Sequence, residues 1–118
     1  MRDVNLLTDA DAHVINIIAD MVHANARDKG FWDGDEHNIP EKLALIHSEI
    51  SEALEAWRTD KLASDKHIPD YPNFDVELAD AVIRIFDLAA YLHIDIGNTI
   101  RAKHAFNRSR AYKHGKKF

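Results

Sequence analysis

The stretch FDVELADAVIRIFDLAAY, residues 74–91, determines the fold class because its side chains repeat with a helical period. At about 100° per residue, its apolar side chains cover well over a third of a helix circumference. The remaining narrow polar strip consists of Glu77, Asp80, Arg84, Asp87 and Tyr91. A helix with so wide an apolar face is typical of the centre of a bundle or of a surface shared with a second subunit.

Three further segments have the same helical period, and no segment shows the sustained alternation of a β-strand. The predicted helices run from the N-cap Thr8 to Gly30, from Pro40 to Asp60, from Phe74 to His93, and from Ile96, capped by Asp95, to Arg108. The sequence therefore predicts an all-α fold of the four-helix bundle type. Because four short helices bury only a modest core, we expect the fold to be completed by oligomerisation, as a homodimer or homotetramer.

The composition is that of one soluble domain spanning residues 1–118. Hydrophobic residues make up 46% of the chain and charged residues 30%, which excludes a disordered chain. No apolar run approaches the roughly 20 residues needed to cross a bilayer, so we expect no contact with a membrane. The N-terminus lacks the apolar core of a signal peptide, and the chain has no cysteine, so a cytoplasmic protein is expected.

The charges are divided unevenly along the chain. All 20 acidic residues precede residue 101, together with 8 of the 15 Lys and Arg residues, which gives residues 1–100 a charge of −12 (8 − 20). The segment 101–118 carries the other seven basic residues and includes a basic tail at about 109–118. Such a tail is commonly a solvated one, and the alternative is that it binds an anion near the acidic body. Nucleic acid is an unfavourable partner, because the acidic body would repel its phosphates.

Two pairs of acids lie on helix faces at a spacing of three residues. The segment HSEISEALEAWR, residues 47–58, contributes Glu49 and Glu52, and residues 74–91 contribute Glu77 and Asp80. Either pair alone is compatible with a solvated helix face. If helices two and three pack antiparallel, however, the four carboxylates meet beside the core, where only a cation could offset their repulsion. Carboxylates without Cys or His favour Mg²⁺, with Mn²⁺ as the alternative.

A second group of polar residues lies near the C-terminus. Lys103, Asn107 and Arg110 follow i, i+4, i+7 spacing and would share one face if the fourth helix reaches that far. An ammonium, an amide and a guanidinium on one face suit phosphate oxygens or a sugar hydroxyl. The alternative is that these basic groups only offset the dipole at the helix C-terminus.

The segment between the first two helices contains adjacent aromatic residues, Phe31 and Trp32. In so polar a segment both side chains look exposed, and two interpretations are open. They could stack on a nucleobase, because every base has a π-face, or they could anchor the loop in the core.

At these residues the chain resembles the MazG-like branch of the all-α NTP pyrophosphatase superfamily. The signature of that family is ExxE followed, after a spacer, by ExxD, and here Glu49-x-x-Glu52 and Glu77-x-x-Asp80 are separated by 24 residues. The segments KGFWD, EKLALIHSEISEALEAWR, ELADAVIRIFDLA and NRSRAYKHGKKF are also similar to short MazG-like proteins. The resemblance covers about residues 20–118.

The resemblance implies a Mg²⁺-dependent nucleoside triphosphate pyrophosphohydrolase, which releases a nucleoside monophosphate and pyrophosphate in nucleotide-pool sanitation or regulation. It implies that Glu49, Glu52, Glu77 and Asp80 are the metal ligands, and Glu49 or Glu52 would take the proton of the attacking water. By the same resemblance, Lys103 and Asn107, with Arg110, contact phosphate and sugar. The alternative is a non-catalytic helical oligomer that binds nucleotide or a protein partner.

Overall fold

The computed structural model describes residues 3–34 and 36–117, which form four α-helices and one short 3₁₀-helix. The helices are α1 (Asp9–Asp28), α2 (Ile39–Asp60), α3 (Asn73–Tyr91), α4 (Ile96–Ser109) and the 3₁₀-helix Tyr112–Gly115. The predicted all-α, four-helix fold is therefore confirmed. The basic tail predicted at 109–118 begins at the end of α4 and contains the 3₁₀-helix, and its residue 118 lies outside the described residues.

Short polar side chains determine where the helices begin. Thr8 and Asp11 form a capping box, in which each side chain accepts a hydrogen bond from the backbone N–H of the other residue. The side chain of Asp95 accepts from the N–H of Asn98 and caps α4, as the sequence predicts. Helix α2 begins one residue before Pro40, because the side chain of Asn38 caps it.

Helices α2 and α3 pack antiparallel, which confirms the arrangement that the paired acids require. Glu49 of α2 contacts Arg84 near the C-terminal end of α3, whereas Trp57, farther along α2, contacts Phe74 at the start of α3. The polar connection 61–72 joins the two helices.

Helix α1 packs on α3 and on α4, and its contact with α4 is very close. A Cβ atom added to Gly97 would lie 2.0 Å from the backbone oxygen of Ala12, so only glycine allows this approach. The side chain of Asn16 fixes the contact, because it accepts from the N–H of Gly97 and donates to Asp95. Helix α4 is thereby attached to α1.

The buried core of the single chain consists mostly of small side chains. Its apolar members are Ala12, Ala19, Trp32, Ala53, Ala56, Ala81, Leu88 and Ala89. The apolar side chains of α2 are only partly buried: Ala53 faces the core, whereas Ile50, Leu54 and Trp57 are 50%, 58% and 52% exposed. These larger residues lie about a quarter of a turn around the helix from the alanines, so much of their surface is outside the contact with α3, although Trp57 still meets Phe74 of α3.

The chain exposes far more surface than a folded monomer of its size. Its accessible surface is 9053 Å², compared with about 6,500 Å² for a typical monomer of 13.5 kDa. Its radius of gyration is 16.9 Å, compared with about 13.5 Å for a compact domain of this length. Much of the exposed apolar surface lies on three helices, at Val14, Ile17, Ile18 and Met21 of α1, Leu43, Ile50, Leu54 and Trp57 of α2, and Leu78, Val82, Ile83 and Ile85 of α3.

None of the helices within residues 3–34 and 36–117 has both the length and the apolar character that a membrane crossing requires.

Candidate metal centre

Three of the four predicted acids form a compact group between α2 and α3. Glu49 and Glu52 of α2 and Glu77 of α3 each offer a carboxylate oxygen, and these oxygens lie within 4.8 Å of one another. We call these three residues the acid cluster. Glu49 is buried, Glu77 is half-buried and Glu52 is exposed, so the cluster extends from the helix interface to the surface.

Glu77 is the member that is least stable as an anion. Burial, together with the neighbouring carboxylates of Glu52 and Glu49, raises its pKa from 4.5 to about 7. Its Oε2 atom is buried and has no hydrogen-bond partner among the described residues. An ionised carboxylate in this position has an unsatisfied buried oxygen, which is costly unless a proton or a cation satisfies it.

Asp80, the fourth predicted ligand, lies beside the acid cluster. It is not one of the three residues whose carboxylate oxygens lie within 4.8 Å of one another. It lines the same cavity as Glu49, Glu52 and Glu77. Burial is the main cause that raises the pKa of Asp80, and Glu49 adds to the effect. Asp80 therefore extends the negative potential of the cluster along α3.

A guanidinium group adjoins the acid cluster, and the motif does not predict it. The Nε atom of Arg84 donates to Oε1 of Glu49 at 2.8 Å. The sequence contains one signal for this position of Arg84: it follows Asp80 by four residues and therefore lies on the same face of α3. Arg84 supplies positive charge to a site that otherwise carries four acids.

The connection 61–72 covers the other side of the cluster and is held by Asp65. The side chain of Asp65 accepts from the backbone N–H groups of His67 and Ile68, and these bonds hold its pKa below the usual value. With its amide group oriented to donate, Asn73 reaches Oδ1 of Asp65 at 2.8 Å and Oε1 of Glu77 at 3.3 Å. Asn73 therefore links the loop to Glu77 and fixes the direction of that carboxylate.

The acid cluster lies between two cavities. The acid cavity, of about 750 Å³, lies between α2, α3 and the 61–72 loop and contains the four predicted acids. The aromatic cavity, of about 510 Å³, is lined by Phe31, Trp32, Lys42 and Arg84, among others. Glu49 and Asp80 line both cavities, so they form the wall that the cavities share.

The two adjacent aromatic residues differ in exposure, and Trp32 follows the alternative in which it anchors the loop in the core. Phe31 is 66% exposed, whereas Trp32 is 8% exposed. The indole N–H of Trp32 donates to Asp87 at 2.9 Å, and its ring stacks on Tyr91 at 3.9 Å. Trp32 therefore anchors its loop to α3, while Phe31 lines the aromatic cavity with an open side chain.

Asp87 joins three parts of the chain at the far end of the aromatic cavity. Besides Trp32, its Oδ1 atom contacts Nδ1 of His23, on α1, at 2.7 Å. Lys42 of α2 holds the same loop, since its Nζ lies 4.5 Å from the Trp32 ring centre and 3.4 Å from the carbonyl oxygen of Phe31. These contacts give the aromatic cavity a fixed wall.

The three predicted phosphate-binding residues lie elsewhere in the single chain. Lys103 and Asn107 are exposed on α4, and neither lines the acid cavity or the aromatic cavity. Helix α4 ends at Ser109, and Arg110 has an extended backbone, so Arg110 is not on the expected helix face. Lys103 and Arg110 instead lie over the ring of Phe106, at 4.7 Å and 5.4 Å from its centre. Their contact with a substrate stays a prediction.

The donor set of the acid cluster suits a hard divalent cation. Three carboxylates from two helices offer oxygens close enough to share one ion, and magnesium is usually held by a few carboxylates, water and phosphate. A cation in this position would satisfy Oε2 of Glu77, which lacks a partner among the described residues. The residues present therefore fit the group that the motif implies.

Comparison of the chain with protein-family models, with curated proteins and with solved structures gives no significant match.

Because burial raises the pKa of Glu77 from 4.5 to about 7, the folded protein retains a proton that the unfolded chain releases between these pH values. The free energy of unfolding of the cation-free protein is therefore expected to fall as the pH rises through this window. Glu77→Gln should reduce this fall, and the part that remains comes from Asp80, whose pKa burial also raises. Denaturant unfolding at about pH 5 and about pH 8 in the presence of EDTA measures this change in the free energy of unfolding.

The matched control is Glu55→Gln, since Glu55 lies on the exposed face of α2 and pairs only loosely with Arg58, at 4.0 Å. This variant should keep the pH dependence of the wild type. An equal fall in Glu77→Gln and in the wild type would show that Glu77 ionises freely, without the cost that its burial implies.

Proposed function

We propose that this protein is a Mg²⁺-dependent nucleoside triphosphate pyrophosphohydrolase of the MazG-like branch, and that it acts as a homodimer or homotetramer. The observation that carries the proposal is the buried Oε2 atom of Glu77, which has no hydrogen-bond partner among the described residues and lies within a group of three carboxylates. A solvated helix face would not bury such an atom. A divalent cation would satisfy it, and Asp80 would add a further carboxylate to the site.

The aromatic cavity supports a substrate that combines anionic groups with a flat apolar group. It offers Phe31 and apolar side chains on one side, and Lys42 and Arg84 as cations. Its volume of about 510 Å³ is within the range of small-molecule sites. Since Glu49 and Asp80 belong to both cavities, a molecule whose phosphates bind cations at the acid cluster can extend its base into the aromatic cavity. A nucleoside triphosphate has this form.

The contacts of the three carboxylates in the acid cluster indicate which of them accepts the proton of the attacking water. When bound, Mg²⁺ neutralises the triphosphate and lowers the pKa of a water molecule. Glu49 is engaged by Arg84, and Glu77 is engaged by Asn73, whereas Glu52 is the exposed member of the cluster. Glu52 is therefore the carboxylate best placed to take the proton of the attacking water. The water oxygen bonds to phosphorus, the bond to the leaving phosphate group breaks, and a monophosphate and pyrophosphate are released.

The excess accessible surface supports the proposal that the protein is a homodimer or homotetramer. Exposed apolar residues of α2 and α3 form stripes at helical spacing, and they belong to the same helices that hold the acid cluster. The accessible surface exceeds that of a typical monomer by about 2,500 Å² per chain, or about 5,000 Å² for two chains, which is within the range of total area that obligate interfaces bury. A second copy of the chain would cover these stripes and hold α2 and α3 rigid at the site.

With Mg²⁺ and each of the eight common NTPs and dNTPs, the protein is expected to release a nucleoside monophosphate and pyrophosphate from at least one of them. EDTA should abolish the reaction. Glu52→Gln should lower kcat by about 100-fold or more, because it removes the proton acceptor, and Asp80→Asn should also lower it. Ion-pair chromatography of the products measures both the rate and the position of cleavage.

Glu55→Gln is the control, since it neutralises an exposed acid on the same helix outside the acid cluster, and it should retain the wild-type rate. Release of orthophosphate alone would contradict the proposal. Binding of nucleotide without turnover would instead support the non-catalytic oligomer.

The mass in solution is expected to be at least twice the 13.5 kDa of one chain. Leu54→Glu introduces a charge into the exposed stripe of α2, where Leu54 is 58% exposed, and should lower this mass or the stability of the assembly. Light scattering after size-exclusion chromatography measures the mass.

Leu62→Glu serves as the matched control, because Leu62 is 75% exposed and follows the end of α2, outside the stripe. It should leave the mass unchanged. A wild-type mass of one chain would show that the exposed stripes are not an interface between copies.

A further inference from the structure

Arg84 is the basic residue in direct contact with the acid cluster. Its Nε atom lies 2.8 Å from Oε1 of Glu49, and it lines the aromatic cavity together with Lys42. Its charge also acts on Asp80, where it lowers a pKa that burial and the neighbouring acids raise. Arg84 therefore offsets part of the charge of the site when no other cation is present.

The contact between Arg84 and Glu49 leaves most of the guanidinium group available. Within the described part of the chain, the hydrogen bond that Arg84 makes uses Nε, and its side chain is 41% exposed. The side chain of Glu49 is much less exposed, at 11%, so the arginine is the partner with solvent-filled space into which it can turn. Desolvation of the buried Glu49 offsets much of the attraction in this ion pair, whereas a divalent cation that shares several carboxylates binds them with twice the charge.

We propose that Arg84 exchanges partners during the catalytic cycle: it pairs with Glu49 while the acid cluster holds no divalent cation, and it turns to the phosphates of the substrate once a cation takes Glu49. This inference rests on the proposed function, since it assigns a second partner to a residue of the same site. It makes Arg84 both a competitor of the cation and a ligand of the substrate.

The second part of the proposal is that Arg84 binds the phosphates of the substrate, and it follows from the position of the guanidinium group. Arg84 lines the aromatic cavity and contacts Glu49 of the acid cluster, so phosphates bound at the cluster come within reach of its terminal nitrogens. Guanidinium groups bind phosphate oxygens in a two-point geometry that carboxylate pairing through Nε alone does not use. Releasing Glu49 therefore frees Arg84 for a stronger partner.

The first experiment measures Mn²⁺ binding to the assembled protein without nucleotide, by electron paramagnetic resonance. Arg84→Met removes the competing charge and is expected to tighten Mn²⁺ binding on the order of tenfold. Arg58→Met is the matched control, because Arg58 is an exposed arginine of α2 whose partner is Glu55, and it should leave Mn²⁺ affinity unchanged. Unchanged or weaker binding by Arg84→Met would overturn the proposal, since it would show that Arg84 does not compete with the cation.

The second experiment measures binding of inorganic triphosphate at saturating Mn²⁺, by calorimetry. Arg84→Met should bind triphosphate roughly tenfold more weakly or worse, while Arg58→Met should bind like the wild type. Opposite changes in the two affinities distinguish a change of partners from structural damage, which would weaken both. Unchanged triphosphate affinity in Arg84→Met would overturn the second half of the exchange.

Arg84→Lys keeps the charge beside Glu49 and removes the two-point geometry, so it is a test that does not depend on Arg84→Met folding well. It should bind Mn²⁺ like the wild type and triphosphate several times more weakly; wild-type affinity for triphosphate would count against the proposal. Neither experiment requires hydrolysis. If the wild type hydrolysed no nucleotide but both affinities changed as expected, the proposed function would fail and the exchange at Arg84 would stand.

Discussion

The mutual repulsion of carboxylates on α2 and α3 is the constraint on which the rest of the site depends. The packing of these two helices brings together Glu49, Glu52 and Glu77, and it leaves one oxygen of Glu77 buried without a partner among the described residues. The surrounding groups reduce this cost without removing it, because Arg84 neutralises Glu49 and Asn73 donates to Glu77. The remaining cost raises the pKa of Glu77 to about 7, so that near neutral pH its carboxylate can be protonated. A helix pair selected for stability alone would place apolar residues at these positions.

The same two helices also account for the surface of the chain. Their small residues, such as Ala53 and Ala81, face the core, so the backbones approach closely and the acids meet. Their larger residues, such as Leu54 and Val82, are about half exposed. Within a single chain, side-chain size therefore separates two roles. The small residues let α2 and α3 pack closely at the site, and the large residues remain on the surface. On our proposal, a second copy covers the large residues.

Much of the fold could be predicted from the sequence, because the helical period and the caps are local signals. Thr8 and Asp95 cap the helices that they were expected to cap, and the ends of α2 and α3 differ from prediction by one or two residues. The proximity of three acids also followed from spacing once antiparallel packing was assumed.

The rest of the site depends on contacts between distant residues, which periodicity does not encode. The pairing of Arg84 with Glu49 and the link from Asp65 through Asn73 to Glu77 exist only in the folded chain. The sequence left open whether Trp32 stacks on a base or anchors its loop, and a hydrogen bond to Asp87 and stacking on Tyr91 bury it as an anchor. The exposure of Ile50, Leu54 and Trp57 on α2 could not be predicted either, because periodicity reveals an apolar face and does not reveal whether that face meets the same chain or another copy.

The most direct test of the central claim is anomalous X-ray diffraction from crystals of the protein soaked in Mn²⁺. The account predicts an anomalous peak between α2 and α3, at about 2.1 Å from carboxylate oxygens of Glu49, Glu52 and Glu77, with Arg84 moved away from Glu49. Crystals in which the acid cluster shows no anomalous density and Arg84 remains paired with Glu49 would contradict it.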